Sequence, residues 1–195
     1  VTYYTDAGVY EIPMNQYVPV KFTNTIAVEN ASADAGKTTV TITGLPKDYD
    51  AQYTVEGLKN VEVKNGTLTF DKDSAAPGQY TLRVADKNAK YAELSASFEL
   101  TTDKAVVAYD NASDSLVAAE GASADEVTSY IKNIKTVTVN GKAYNASGKG
   151  SVKIVNEDGT LNEEAAPFKD AKAGDKFEIS VKATGYANDF SFTYV

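Results

Sequence analysis

The 195-residue chain contains no cysteine, no histidine and no tryptophan. Without cysteine there is no disulfide framework, no thiolate zinc site and no cysteine nucleophile. Without histidine the commonest general base and metal ligand is missing, and with it the usual catalytic triad. Basic residues are short as well: 19 against 27 acids, a net charge of −8 that repels nucleic acid and anionic lipid. The longest apolar run, Ala105 to Tyr109, falls far below the roughly 20 residues that span a bilayer. No phosphate-binding glycine loop, serine-centred elbow or HExxH motif occurs. These absences argue against an enzyme, a resident cofactor, a nucleic-acid partner and membrane insertion.

What is present is alternation. Val18, Val20 and Phe22 fall on one face, as do Val40 and Ile42, Val61 and Val63, Leu68 and Phe70. Tyr80, Leu82 and Val84, then Leu94, Ala96 and Phe98, continue the pattern. Later come Val137 and Val139, Val152 and Ile154, Phe177, Ile179 and Val181, and Phe190, Phe192 and Tyr194. Period-2 runs split by Gly, Asn and Asp read as antiparallel strands with one buried face. Their close spacing suits an all-β sandwich. One segment departs: from Ser123 to Ile134, Val127, Tyr130, Ile131 and Ile134 lie at helical spacing. Ser123 with Glu126 three residues on forms a capping box, so a short helix is expected there.

The length fits two domains of roughly 100 residues, and four blocks recur in order. TVTITG from Thr39 to Gly44 matches TVTVNG from Thr136 to Gly141. VEVKNGTL from Val61 to Leu68 resembles VKIVN from Val152 followed by DGTL from Asp158. Gly78 with Tyr80 to Val84 matches Gly174 with Phe177 to Val181, and Tyr91 stands where Tyr186 does. Two tandem immunoglobulin-like antiparallel β-sandwich domains are therefore expected, residues 1–102 and 103–195, the second carrying the short helix. The chain opens on Val1 and closes on a strand-like run. It is expected to be a monomeric segment of a longer multidomain polypeptide whose targeting and anchoring signals lie outside it.

From about Lys104 onward the sequence resembles the hemoglobin-interacting domain family of Gram-positive bacterial surface proteins. The residues that carry the resemblance are Tyr130, Ile131 and Ile134, the VTVNG run from Val137, Tyr144, Asp158–Gly159, Phe168, and ATGY from Ala183 to Tyr186. The first half is a fainter, related copy. The resemblance implies an Ig-like fold, an extracellular place on the bacterial cell wall or surface, and a non-catalytic role in a secreted protein. It implies a host-protein partner, hemoglobin first and immunoglobulin second, or an adhesin. Alternatives are a spacer without a ligand and a carbohydrate-binding accessory domain; the lack of Trp argues against the latter.

Individual candidates each have an ordinary reading. Tyr49 and Tyr53 have a spacing that could place two phenols on one side, and a phenolate can ligate haem iron; the ordinary role is packing. Asp110 and Asp114 are candidate calcium ligands near the domain junction, as are the pairs Asp48/Asp50 and Asp71/Asp73, although none follows the EF-hand pattern. Lys21 has the chemistry for an isopeptide bond to an asparagine, against a solvated lysine. Tyr186 is expected to be a structural tyrosine after a turn at Gly185. Asn30, Asn65, Asn111 and Asn145 sit in Asn-x-Ser/Thr sequons that a bacterial product leaves unmodified.

Overall fold

The alternating runs become strands because each can bury one face against another sheet. A computed structural model describes residues 18–146 and 153–195, together with the backbone of two strands near the start. Those strands, β1 (Thr2–Thr5) and β2 (Gly8–Glu11), pair as an antiparallel hairpin. Then follow β3 (Thr25–Val28), β4 (Ala31–Ser32), β5 (Lys37–Thr43), β6 (Ala51–Val55), β7 (Glu62–Lys64), β8 (Thr67–Thr69), β9 (Gly78–Asp86) and β10 (Leu94–Thr101). They form two four-stranded sheets, β3-β5-β8-β7 and β4-β10-β9-β6. Between them lies a core that includes Val40, Val55, Leu68, Leu82, Val84, Phe98 and Leu100.

The rest of the chain builds a separate core. Here β11 (Val107–Asp110) and β12 (Ser115–Ala118) form a hairpin, followed by helix α1 (Ala124–Lys132). Then come β13 (Ile134–Val139), β14 (Lys142–Asn145), β15 (Phe177–Ala183) and β16 (Phe190–Tyr194), in a sheet of order β14-β13-β15-β16. Val107, Leu116, Val127, Tyr130, Val137, Ile154, Leu161, Phe168, Ile179 and Val181 share its core. The expected residue Val152 lies outside the described residues. The chain is thus mainly β, sandwich-like and carries one α-helix among the described residues.

Helix α1 begins where the capping box places it. The Ser123 hydroxyl accepts from Glu126 N at 3.2 Å, and the Glu126 carboxylate accepts from Ser123 N at 2.8 Å. Val127 and Tyr130 are its buried residues. The expected last turn is lost: Ile134 enters β13 instead. The Asn133 carbonyl accepts from Thr184 N at 2.8 Å, so pairing toward β15 overrides helical continuation.

The first expected strand also fails. Residues 21–24 are irregular, and Val20 makes only an isolated parallel bridge to Tyr91. Val18 is 75% and Val20 51% exposed; of the three apolar residues only Phe22 packs, against Tyr49 and Tyr91. A single bridge has no sheet face on which to bury alternate side chains.

The repeated blocks adopt strands with different neighbours. Strand β5 pairs with β3 and β8, in the sheet opposite β9. Its sequence counterpart β13 pairs with β14 and directly with β15. Likeness of the blocks extends to turn chemistry, since Asn65–Gly66 and Asn140–Gly141 both take positive φ (50° and 74°; 47° and 80°) in two-residue hairpins. It does not extend to sheet topology.

The two cores are joined tightly. Thr102 N donates to the Gly185 carbonyl at 2.8 Å, and Ala187 N donates to the Thr102 carbonyl at 2.9 Å, bracketing a parallel bridge to Tyr186. Gly185 N donates to a Glu99 carboxylate oxygen at 2.7 Å. The Asn133 amide donates to the Pro77 carbonyl at 3.1 Å. Lys104, just past the crossing, binds both Glu126 oxygens at 2.8 and 3.1 Å. Backbone and side chains from both cores therefore hold the connecting segment.

Candidate functional site

Tyr49 sits in the loop before β6 and Tyr53 within it. The Tyr49 hydroxyl lies 2.9 Å from the Val84 carbonyl and 3.2 Å from that of Ala92, a donor facing two acceptors. Its ring stacks on Tyr91 at 5.9 Å and meets Phe22 edge-on at 5.7 Å. Burial, with the charge of Asp86 added, raises its pKa. That environment favours the neutral phenol, whereas iron ligation needs the phenolate. Tyr53 is half-buried and packs beside the same core.

Beside this cluster, Asp48 accepts from Lys90 Nζ at 2.5 Å and from the Tyr91 hydroxyl at 2.6 Å. The Lys90 bond, then the Tyr91 bond, lowers the Asp48 pKa. Asp50 forms an exposed pair with Lys87 at 3.4 Å. Asp71 caps a 3-10 turn through Asp73 N at 3.0 Å. Lys21 is exposed and outside any strand, as a solvated lysine should be.

Asp110 and Asp114 bracket the β11–β12 turn. Asp110 accepts from the Ser113 hydroxyl at 2.5 Å and from Ala112 N at 3.2 Å, and these bonds lower its pKa. Asp114 accepts from the Tyr109 hydroxyl at 2.7 Å. The sequence order puts this turn near the junction, but the fold does not. Asp114 interacts with Tyr194, at the far end of β16 from Phe190, whereas Phe190 is the end that neighbours Asp103 and Tyr186. β11 leaves the junction and carries the turn to the opposite end. Among the described residues no group of three or more His, Cys, Asp or Glu is placed to hold a metal ion.

Two residues have structural roles that spacing alone did not indicate. Asp86, only 7% exposed, closes the β9–β10 turn. It accepts from the backbone nitrogens of Asp50, Asn88, Lys90 and Tyr91 at 3.1–3.2 Å. Burial opposes its charge, but the four donors prevail and its pKa is lowered. An Asp two residues before an Asn in a turn was the available sequence signal. Glu99, on the polar side of β10, reaches across the junction instead of into water. Tyr186 is 9% exposed and lies edge-on to Tyr130 at 4.7 Å; burial raises its pKa.

One concavity belongs to the second core. A groove of about 430 Å³ opens between the end of α1, the β13–β14 hairpin and the stretch from Lys153 to Glu157. Ile131, Ile134, Val137, Tyr144, Ile154 and Val155 line it, with Lys132, Lys153 and Glu157 among its polar residues. No periodicity in the sequence brings these three segments together; only the packing of α1 beside the sheet does.

Residues 100–195 match the family described as heme-binding protein Shr-like, Hb-interacting domain. No curated protein matches the chain. One similar solved structure is the Bacteroides ovatus mixed-linkage glucan utilization locus protein SGBP-B in complex with a mixed-linkage heptasaccharide. It is 12% identical with a TM-score of 0.28, over 95% of this chain and 45% of that one. This chain therefore spans less than half of that protein. Another is surface layer protein SbsC, domains 6–7, at 13% identity and a TM-score of 0.27, over 89% of this chain and 97% of that one.

Proposed function

We propose, from the membership of residues 100–195 in the Shr-like Hb-interacting domain family, that this chain is a non-catalytic binding module of a bacterial surface protein and that its partner is host hemoglobin. The family match is the observation that carries the reading. It spans all of the second core and begins at Leu100, on the last strand of the first. The two separate hydrophobic cores support a division into domains 1–102 and 103–195. The same family supports an extracellular location at the cell wall. Among the described residues no helix is long and apolar enough to cross a membrane.

Titrating the whole chain with purified hemoglobin, with immunoglobulin G in parallel, tests the reading. Micromolar or tighter affinity for hemoglobin supports it. Saturation by immunoglobulin alone, or by neither protein, refutes it.

A second reading, a spacer that holds a neighbouring domain away from the cell wall, draws on the junction. Bonds from Thr102, Glu99, Asn133 and Lys104 tie the two cores together at the connection, an arrangement that suits a stalk. It predicts no affinity for either host protein.

A further inference from the structure

Three positions place an asparagine or aspartate directly before a glycine: Asn65–Gly66, Asn140–Gly141 and Asp158–Gly159. Such pairs cyclise when the glycine nitrogen attacks the preceding side-chain Cγ, because glycine has no Cβ to obstruct the approach. Sequence ranks the two Asn–Gly pairs alike. All three acceptor residues are exposed, so access to water does not separate them either. Their hydrogen bonds do.

Asn140 is held at two points. Its N donates to the Glu178 carbonyl at 2.9 Å, and its Oδ1 accepts from Glu178 N at 2.8 Å. The side-chain amide thereby extends the pairing of β13 with β15, and turning it toward Gly141 N breaks that bond. Asp158 is held as firmly. Its Oδ1 accepts from Thr160 N at 3.0 Å and from the Thr160 hydroxyl at 2.6 Å. The Thr160 bonds hold its carboxyl below the ordinary value, as the poorly electrophilic carboxylate. The would-be nucleophile is engaged as well: Gly159 is buried, and its N donates to the Asn156 carbonyl at 3.0 Å.

Asn65 has neither restraint. It stands at the tip of the β7–β8 hairpin, and among the described residues its side-chain amide has no hydrogen-bond partner. Gly66 N donates to no acceptor among them, while the Gly66 carbonyl accepts from Val40 N at 2.9 Å. Strand β7 is three residues long, lies at the edge of its sheet and pairs there with β8. Short edge hairpins open locally at small free-energy cost.

We infer that Asn65 is a site of spontaneous covalent modification, converting to aspartate and isoaspartate through a cyclic imide, and that the fold withholds Asn140 and Asp158 from the same chemistry. Gly66 N gives its proton to solvent base and bonds to Asn65 Cγ. The bond from Cγ to the side-chain nitrogen breaks, and that nitrogen leaves as ammonia. Water then opens the imide at either carbonyl, so the net reaction consumes one water and releases one ammonia. The products carry a new negative charge beside Lys64, and isoaspartate adds a methylene to the backbone of a two-residue turn.

The test incubates the whole chain at mildly alkaline pH, folded and in guanidinium chloride, and follows each pair by peptide mass mapping. Conversion of asparagine adds about 1 Da; isoaspartate at Asp158, which leaves mass unchanged, is read by enzymatic methylation. In the folded chain Asn65 should convert at least about 5-fold faster than Asn140, and Asp158 should lag both. In denaturant the two asparagines should convert within about 2-fold of one another, since the structural restraints are gone. Asn65→Gln should abolish the mass gain of that peptide.

Asn140 converting as fast as Asn65 in the folded chain overturns the inference. So does an Asn65 that stays intact when folded yet reacts in denaturant, because its turn would then be protected too. A preference for Asn65 that persists unchanged in denaturant also overturns it, by assigning the difference to sequence instead of fold.

Discussion

Gly185 meets Gly78 backbone to backbone across the junction. A Cβ placed on Gly185 would overlap the Gly78 nitrogen and lie 2.6 Å from the Pro77 carbonyl carbon. Gly185 also has a φ of +88°, a conformation costly for any other residue. One position thus meets two demands: a turn ahead of Tyr186 and contact with the other core.

Gly185→Ala is therefore expected to open the junction while leaving both cores folded. The cost should be about 1–3 kcal/mol, from strained backbone and steric overlap together. Small-angle scattering should show a larger maximum dimension, and thermal unfolding should separate into two transitions. An unchanged scattering profile would show that the junction does not depend on this contact.

Asp86 makes stability depend on acid. Its pKa is lowered in the folded state, so its contribution is present above the ordinary carboxylate value near 4 and lost as pH falls through the lower folded value. Asp86→Ala should lower the urea midpoint at pH 7. It should also flatten the decline in midpoint between about pH 5 and pH 2. Equal slopes in the two proteins would assign the acid sensitivity elsewhere.

Ser123→Ala removes one half of the capping box and leaves Glu126 N without its acceptor. The expected loss is about 1 kcal/mol, with Ser123→Gly costing only a few tenths. Denaturant titration that ranks Ala less stable than Gly would confirm capping as the cause, because intrinsic helix propensity favours the reverse order.

Tyr49→Phe retains the ring contacts with Phe22 and Tyr91 but loses the hydrogen bond to Val84. Destabilisation of about 0.5–1.5 kcal/mol is expected. A hemin titration followed in the Soret region should be the same for Tyr49→Phe and the unaltered chain. Loss of a Soret band in the variant would instead reveal an iron ligand.

Much of the fold was legible beforehand. Period-2 runs marked β9, β10, β13 and β15, whose inward residues Leu82, Val84, Phe98, Val137, Ile179 and Val181 are buried. Ser123 and Glu126 marked the start of α1, and Asn140–Gly141 marked the β13–β14 hairpin turn. These features are local: a few neighbouring residues contain all the chemistry that decides them. The ATGY block was legible as a turn, but its place against Pro77 and Gly78 was not.

Composition and local pattern by themselves determined a strand-rich chain without catalytic residue types, one capped helix and the tight turns. Tertiary structure decided the rest. It sent Ile134 into β13, gave β5 and β13 different partners, carried Asp114 to the end remote from the junction, and gathered Ile131, Tyr144 and Ile154 around one groove. The physical reason is range. A turn or cap depends on bonds between near neighbours, whereas sheet order, junction and groove depend on which distant apolar faces bury one another.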